Sequence, residues 1–120
     1  MTVLRSVRVA AIQATPEILD AEGSVAKAAH LLGEAADAGA ELAVLPECFV
    51  SLYPSNVWAK ASASFGGSDE LWERMWLSSV DVPGPLMEEL AAVCRARGIH
   101  AVIGVNERDS TVRDRSTTPW

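Results

Sequence analysis

Apolar positions in this chain follow two rhythms, and the rhythms alternate. Residues 7–13 are small and apolar in loose alternation, which predicts a first strand. Residues 20–23 are turn-like, and Ser24 is a candidate N-cap. Val25, Ala28, Ala29, Leu32, Ala35 and Ala36 then recur at helical spacing, and Gly39 stands where a helix should stop. Residues 42–45 form a short, bounded apolar run, read as a buried second strand. Strand, helix, strand in this order predicts a parallel pair joined by a right-handed crossover. Residues 61–68 read as a loop, and residues 69–77 fit a helix carrying Leu71, Trp72, Met75 and Trp76. Val82-Pro83-Gly84-Pro85 breaks the chain, with Pro85 placed to begin a helix. Leu86, Leu90, Val93 and Cys94 give that helix an apolar stripe, Gly98 stops it, and residues 99–105 read as strand three. The fold class is therefore α/β, without internal repeats.

The second strand carries the first chemical signal. Ala43-Val44-Leu45 runs into Pro46 and then Glu47. Proline has no N–H for a sheet ladder, so Pro46 should end the strand. Glu47 is then held at the carboxyl end of a central strand, where open α/β sheets bind their ligands. Partial desolvation there raises a carboxylate towards general-base territory. The alternative is a solvated strand-end glutamate, or one that caps a neighbouring helix.

Composition narrows the classes. The chain has 120 residues, 49% of them hydrophobic, enough for one modest folded unit. Its formal charge is −6, and its lysines are Lys27 and Lys60, which argues against nucleic acid or an anionic membrane surface as a partner. No run approaches the ~20 apolar residues of a membrane span. The start, Met1-Thr2-Val3-Leu4-Arg5, lacks the apolar core of a signal peptide, so a cytoplasmic location is expected. Cys48 and Cys94 are then expected to be free thiols. Tryptophans 58, 72 and 76 are expected in core or interface packing rather than ligand contact. No His/Cys/carboxylate spacing suggests a metal site, and His30 and His100 form no dyad with a nearby cysteine. No Gly-x-Gly-x-x-Gly follows strand one, which weakens the reading as a small nucleotide-binding domain.

Six pieces, taken in order, carry a resemblance. They are Ala10-Ala11-Ile12-Gln13, Gly39-Ala40-Glu41-Leu42, Leu45-Pro46-Glu47, Tyr53-Pro54, Val82-Pro83-Gly84-Pro85 and Val102-Ile103-Gly104-Val105-Asn106-Glu107-Arg108. Their order and spacing resemble the nitrilase family of carbon–nitrogen hydrolases. The Val-Pro-Gly-Pro and Glu-Arg-Asp pieces are more similar to true nitrilases than to the amidase branches. The resemblance implies an αββα sandwich, of which residues 1–109 would be the amino-terminal part. It implies a Glu, Lys and Cys site acting on a nitrile without cofactor, and association of subunits through helices. Glu47 matches the glutamate of that site. Tyr53 lies in the loop that borders the substrate pocket.

The chain also departs from the family. The family's lysine and cysteine lie beyond strand three, and no residue here matches them. Lys27 reads as a solvated helix residue, and Lys60 fits no catalytic motif. Cys94 reads as a structural thiol. Cys48 follows Glu47 directly, and continued strand geometry would point the two side chains apart. Ser51 and Leu52 replace the Pro-Gly often found before Tyr-Pro. The expectation is therefore a truncated nitrilase-type chain that is inactive alone. The alternatives are an amidase or carbamoylase branch, and a non-catalytic fragment that associates with full-length subunits. Residues 110–120 are polar, off the family pattern, and expected to be loose. One codon choice for residues 113–120, read from its third base, encodes Gly-Pro-Leu-Tyr-Asn-Thr-Leu, close to the family's continuation. A frameshift upstream of Arg113 followed by early termination is compatible with this.

Overall fold

The computed structural model describes residues 3–53, 57, 61 and 68–109. Three strands, β1 (Val9–Ala11), β2 (Leu42–Val44) and β3 (His100–Val102), form one parallel sheet in the order β1-β2-β3. Helix α1 (Ala21–Asp37) connects β1 to β2. Helices α2 (Ser68–Leu77) and α3 (Pro85–Arg97) lie between β2 and β3. This is the α/β arrangement expected, with β2 central. The strands are shorter than their apolar runs, because flanking residues leave the ladder.

Register explains which face is covered. Ala10, Ala43 and Ala101 are aligned across the three strands, as are Ala11, Val44 and Val102 in the next row. Successive strand residues face opposite sides. The alanine row meets the core, where Ala43 is fully buried among Val25, Ala28, Leu32, Leu90 and Ile99. Helices α1 and α3 pack against each other over that face. The other face is bare among the described residues: Val9 is 53% exposed, Val44 38% and Val102 56%. The run 42–45 was expected to be a buried strand. It is buried on one face, with Leu45 and Ala43 inside and Val44 outside.

Both long helices have definite ends. The α1 cap is Asp20 rather than Ser24: its carboxylate accepts from the Gly23 N–H at 2.8 Å. A Cβ on Gly23 would lie 2.4 Å from that carboxylate, so a side chain there would displace the cap. Ser24 is instead buried, and its hydroxyl donates to the Glu17 carbonyl at 2.9 Å. Gly39, at φ +86°, closes the carboxyl end of α1 as expected. Pro85 opens α3, and Gly98, at φ +63°, ends it by donating to the Cys94 carbonyl. Arg97 reaches from α3 to α1, donating to the Gly33 carbonyl at 3.0 Å and pairing with Asp37.

Neither tryptophan of α2 is buried in the core of this chain. Trp72 is 54% exposed and Trp76 half-buried, while Trp58 lies outside the described residues. Helix α2 turns Met75 inward, and the chain just past it contributes Ser78 and Val80 to the interior. Lys60, the Pro54 of Tyr53-Pro54, most of the loop 61–68 and the tail 110–120 also lie outside the described residues. No helix among the described residues is long and apolar enough to cross a membrane.

Candidate functional site

Strand β2 does not simply stop at Pro46; it makes an excursion and then returns. Leu45 still donates to the Val102 carbonyl at 2.9 Å. The next pairing with the third strand is the bridge from Val50 to Val105. Between Val44↔Val102 and Val50↔Val105 the second strand spends six residue steps and its neighbour three. The three extra residues form a loop whose turn is Glu47-Cys48. Pro46 supplies the break, since it cannot take the next ladder bond. Cys48 adopts φ +49°, a left-handed conformation uncommon for a side-chain-bearing residue.

The excursion is closed by polar bonds on its far side. Val50 donates to the Gly104 carbonyl at 3.3 Å, and Asn106 donates its N–H to the Val50 carbonyl at 2.7 Å. The Asn106 side-chain amide donates to the Leu52 carbonyl at 2.8 Å, next to Tyr53. Ser51 is fully buried and donates to the Ser78 hydroxyl at 2.8 Å, tying the returning strand to the chain after α2. A parallel bridge joins Val80 to Glu107, and Arg108 grips Asp81 through Nε at 3.3 Å and Nη2 at 3.0 Å. That grip pushes the Arg108 guanidinium pKa further up.

The turn has little room beneath it. A Cβ on Gly104 would lie 2.5 Å from the Cys48 nitrogen, 2.7 Å from Glu47 Cα and 2.9 Å from the Glu47 carbonyl carbon. Gly104 is thus the floor of the turn.

Glu47 stands at the carboxyl end of the central strand, as expected. It is exposed, not partly desolvated, because nothing described covers its side chain. Cys48 does not continue the strand, so the condition for the two side chains to point apart is not met. Burial pushes the Cys48 thiol pKa up, and the neighbouring Glu47 carboxylate adds to the rise. Cys48 is therefore a poor thiolate source at neutral pH. Tyr53, 45% exposed, follows on the same segment after Leu52. Cys94 is half-buried against the core, and burial raises its pKa while Arg95 opposes the rise. Lys27 sits 3.3 Å from Glu17, and His30 sits 3.6 Å from Glu34, both away from the turn. No metal-ligand cluster is found among the described residues.

Sequence reasoning missed Gly104 and Asn106 as parts of this site. A glycine inside a strand-like run marks a bulge or a close backbone approach, and that signal was present in Val102-Ile103-Gly104-Val105.

Comparison with known proteins gives a consistent set. The family model described as carbon-nitrogen hydrolase matches residues 8–118. An arylacetonitrilase of Macrophomina phaseolina (strain MS6) is 40% identical over 106 residues, covering 88% of this chain and 29% of that protein. A bifunctional nitrilase/nitrile hydratase of Nicotiana tabacum is 36% identical, covering 87% of this chain and 30% of its own length. An aliphatic nitrilase of Rhodococcus rhodochrous is 33% identical, with 85% and 27% covered. The chain thus spans under a third of the length of these relatives.

Proposed function

We propose that this chain, which belongs to the carbon–nitrogen hydrolase family, carries at Glu47 the general base of a nitrile-hydrolysing site. The supporting observation is the Glu47-Cys48 turn at the carboxyl end of the central parallel strand, seated on Gly104. The names of the relatives, nitrilases acting on arylacetonitriles or aliphatic nitriles, supply the substrate class. In this reading Glu47 takes the proton from a cysteine thiol that the chain does not itself present at the turn. The thiolate attacks the nitrile carbon to give a thioimidate, and a lysine stabilises the negative charge that develops on nitrogen. One water releases ammonia and a second releases the carboxylic acid. Tyr53 borders the pocket that holds the nitrile.

Among the described residues none takes the part of the lysine or the nucleophile. Cys48 has the wrong acidity, because burial and Glu47 both favour its thiol form. Alone, the chain should therefore release no ammonia from a panel of nitriles, since nucleophile and charge stabiliser act as a unit with the base. Turnover that disappears in Cys48→Ala would instead make Cys48 the nucleophile. The role of Glu47 is tested by complementation. The chain is co-expressed with the unmatched remainder of the Macrophomina arylacetonitrilase, and ammonia release is measured. Glu47→Gln should lower it by about 10²-fold or more, the usual scale for a lost general base. Equal turnover with and without the carboxylate would end this reading.

The uncovered sheet face supports a second reading of the same chain. Val9, Val44 and Val102 present apolar surface that the αββα sandwich would cover with a second sheet. Residues 1–109 are then one part of that sandwich, and the chain self-associates or joins intact subunits through this face. Co-purification with a full-length relative tests it.

A further inference from the structure

Gly104 does not have a positive φ, so backbone freedom is not what calls for a glycine there. Space is. A side chain at 104 would enter the backbone of Glu47 and Cys48 at 2.5, 2.7 and 2.9 Å. Each approach is shorter than the 3.0 Å that real Cβ atoms respect, and the atoms met are backbone, which has no rotamer to escape into. To restore the 3.4 Å of ordinary contact from 2.5 Å, the Cys48 nitrogen would have to retreat by 0.9 Å. The turn is also fixed on both sides. Leu45 is bonded to Val102 before it, and Val50 is bonded to Gly104 itself after it. The retreat is therefore taken up in Pro46, Glu47, Cys48 and Phe49, because the flanking bonds hold the rest.

We propose that Gly104 is the positioning residue of Glu47: its bare Cα is the seat of the Glu47-Cys48 turn and sets where the carboxylate stands above the sheet. The proposal rests on the reading of Glu47 as general base, and it reaches a residue that touches no substrate. A misplacement near 1 Å of a catalytic group costs about 10²-fold in rate. Gly104→Ala in the complemented pair should lower turnover on that scale.

Turnover alone would not separate positioning from general damage, so the deciding measurement is local. Cys48 reports on Glu47, because the carboxylate helps to hold its thiol protonated. In a Cys94→Ser background Cys48 is the sole thiol. Its alkylation by iodoacetamide is followed against pH with and without Glu47→Gln. With Gly104 in place, removing the charge lowers the pH midpoint. In Gly104→Ala the carboxylate has moved, and Glu47→Gln should change the midpoint by a different amount. An identical response in both backgrounds overturns the proposal. Gly33→Ala, where nothing lies within 4 Å of the added carbon, is the control for a glycine change as such. If Gly104→Ala does not fold, the unaltered chain decides by nuclear magnetic resonance. The Gly104 α-protons should shift as the Glu47 carboxylate titrates, and should not shift in Glu47→Gln. Indifference to that titration overturns the proposal as well. The alkylation result does not depend on turnover. A failed complementation test of Glu47 would therefore leave the alkylation and resonance results to decide on the seat, and an identical alkylation response would overturn the seat without touching the test of Glu47 as base.

Discussion

The hydroxyls of Ser51 and Ser78 are 2.8 Å apart in the interior, and they bind the strand returning from the Glu47 turn to the chain leaving α2. The two ends of this bond are not equivalent. Ser78 also donates to the Met75 carbonyl at 3.2 Å, whereas among the described residues Ser51 adds a long second contact, 3.4 Å, to the Ser78 carbonyl. Ser51→Ala should therefore cost about 1 kcal/mol, the net worth of one hydrogen bond. Ser78→Ala should cost nearer 2 kcal/mol, because it leaves the fully buried Ser51 hydroxyl poorly partnered. Denaturant unfolding of the two variants gives the order.

Asp20 holds the start of α1, and its side chain is exposed, so its contribution is that of a cap and not of packing. Asp20→Ala should lower stability by about 1 kcal/mol. Asp20→Asn should lower it much less, since the amide oxygen can still accept from Gly23. Equal losses in the two variants would show that the charge, and not the cap bond, carries the effect.

Both thiols are shifted in the same direction, which fixes a sign. Cys48 and Cys94 lie above their ordinary value of 9.0 in the folded chain, mainly through burial. Above 9.0 the unfolded chain loses these protons first, so the folded state binds more protons than the unfolded one. Stability is then undiminished below 9.0 and falls as pH rises through the folded values. Unfolding free energies measured across that range should decline less steeply in Cys94→Ala than in the parent chain.

The bare sheet face makes a prediction about association. Val9 and Val102 lie on the two outer strands and are more than half exposed. Val9→Lys and Val102→Lys together should reduce concentration-dependent light scattering, since charge on a sheet discourages pairing with another chain. A parent chain that stays monomeric at all concentrations would remove the case for association through this face.

The fold was legible where a rhythm ran long enough. Helix α1 repeats its apolar positions over 17 residues, and α3 is bracketed by Pro85 and Gly98, so both could be placed from sequence. The cap of α1 was misplaced because Asp20 and Ser24 are both good capping residues, and only the burial of Ser24 separates them. One-sided burial of β2 was hidden for a different reason. Ala43 and Val44 are both apolar, and composition does not tell which of them meets a helix. At the site, Pro46 and Glu47 could be read directly. The turn could not, because it arises from a mismatch of three residues between neighbouring strands, and register is a property of the pair.

The alanine row makes the two sides of the sheet unequal in their tolerance of change. Ala10, Ala43 and Ala101 act as a spacer of minimal thickness between the strands and the helices above them. Each added methylene there would wedge α1 and α3 away from β2, and the strain would reach the end of the strand that carries Glu47. On the opposite side, Val44 and Val102 stand one residue further along and meet no helix among the described residues. Drift in sequence should therefore accumulate unevenly, with one surface of a three-residue strand nearly frozen and the other free to follow whatever comes to lie against it.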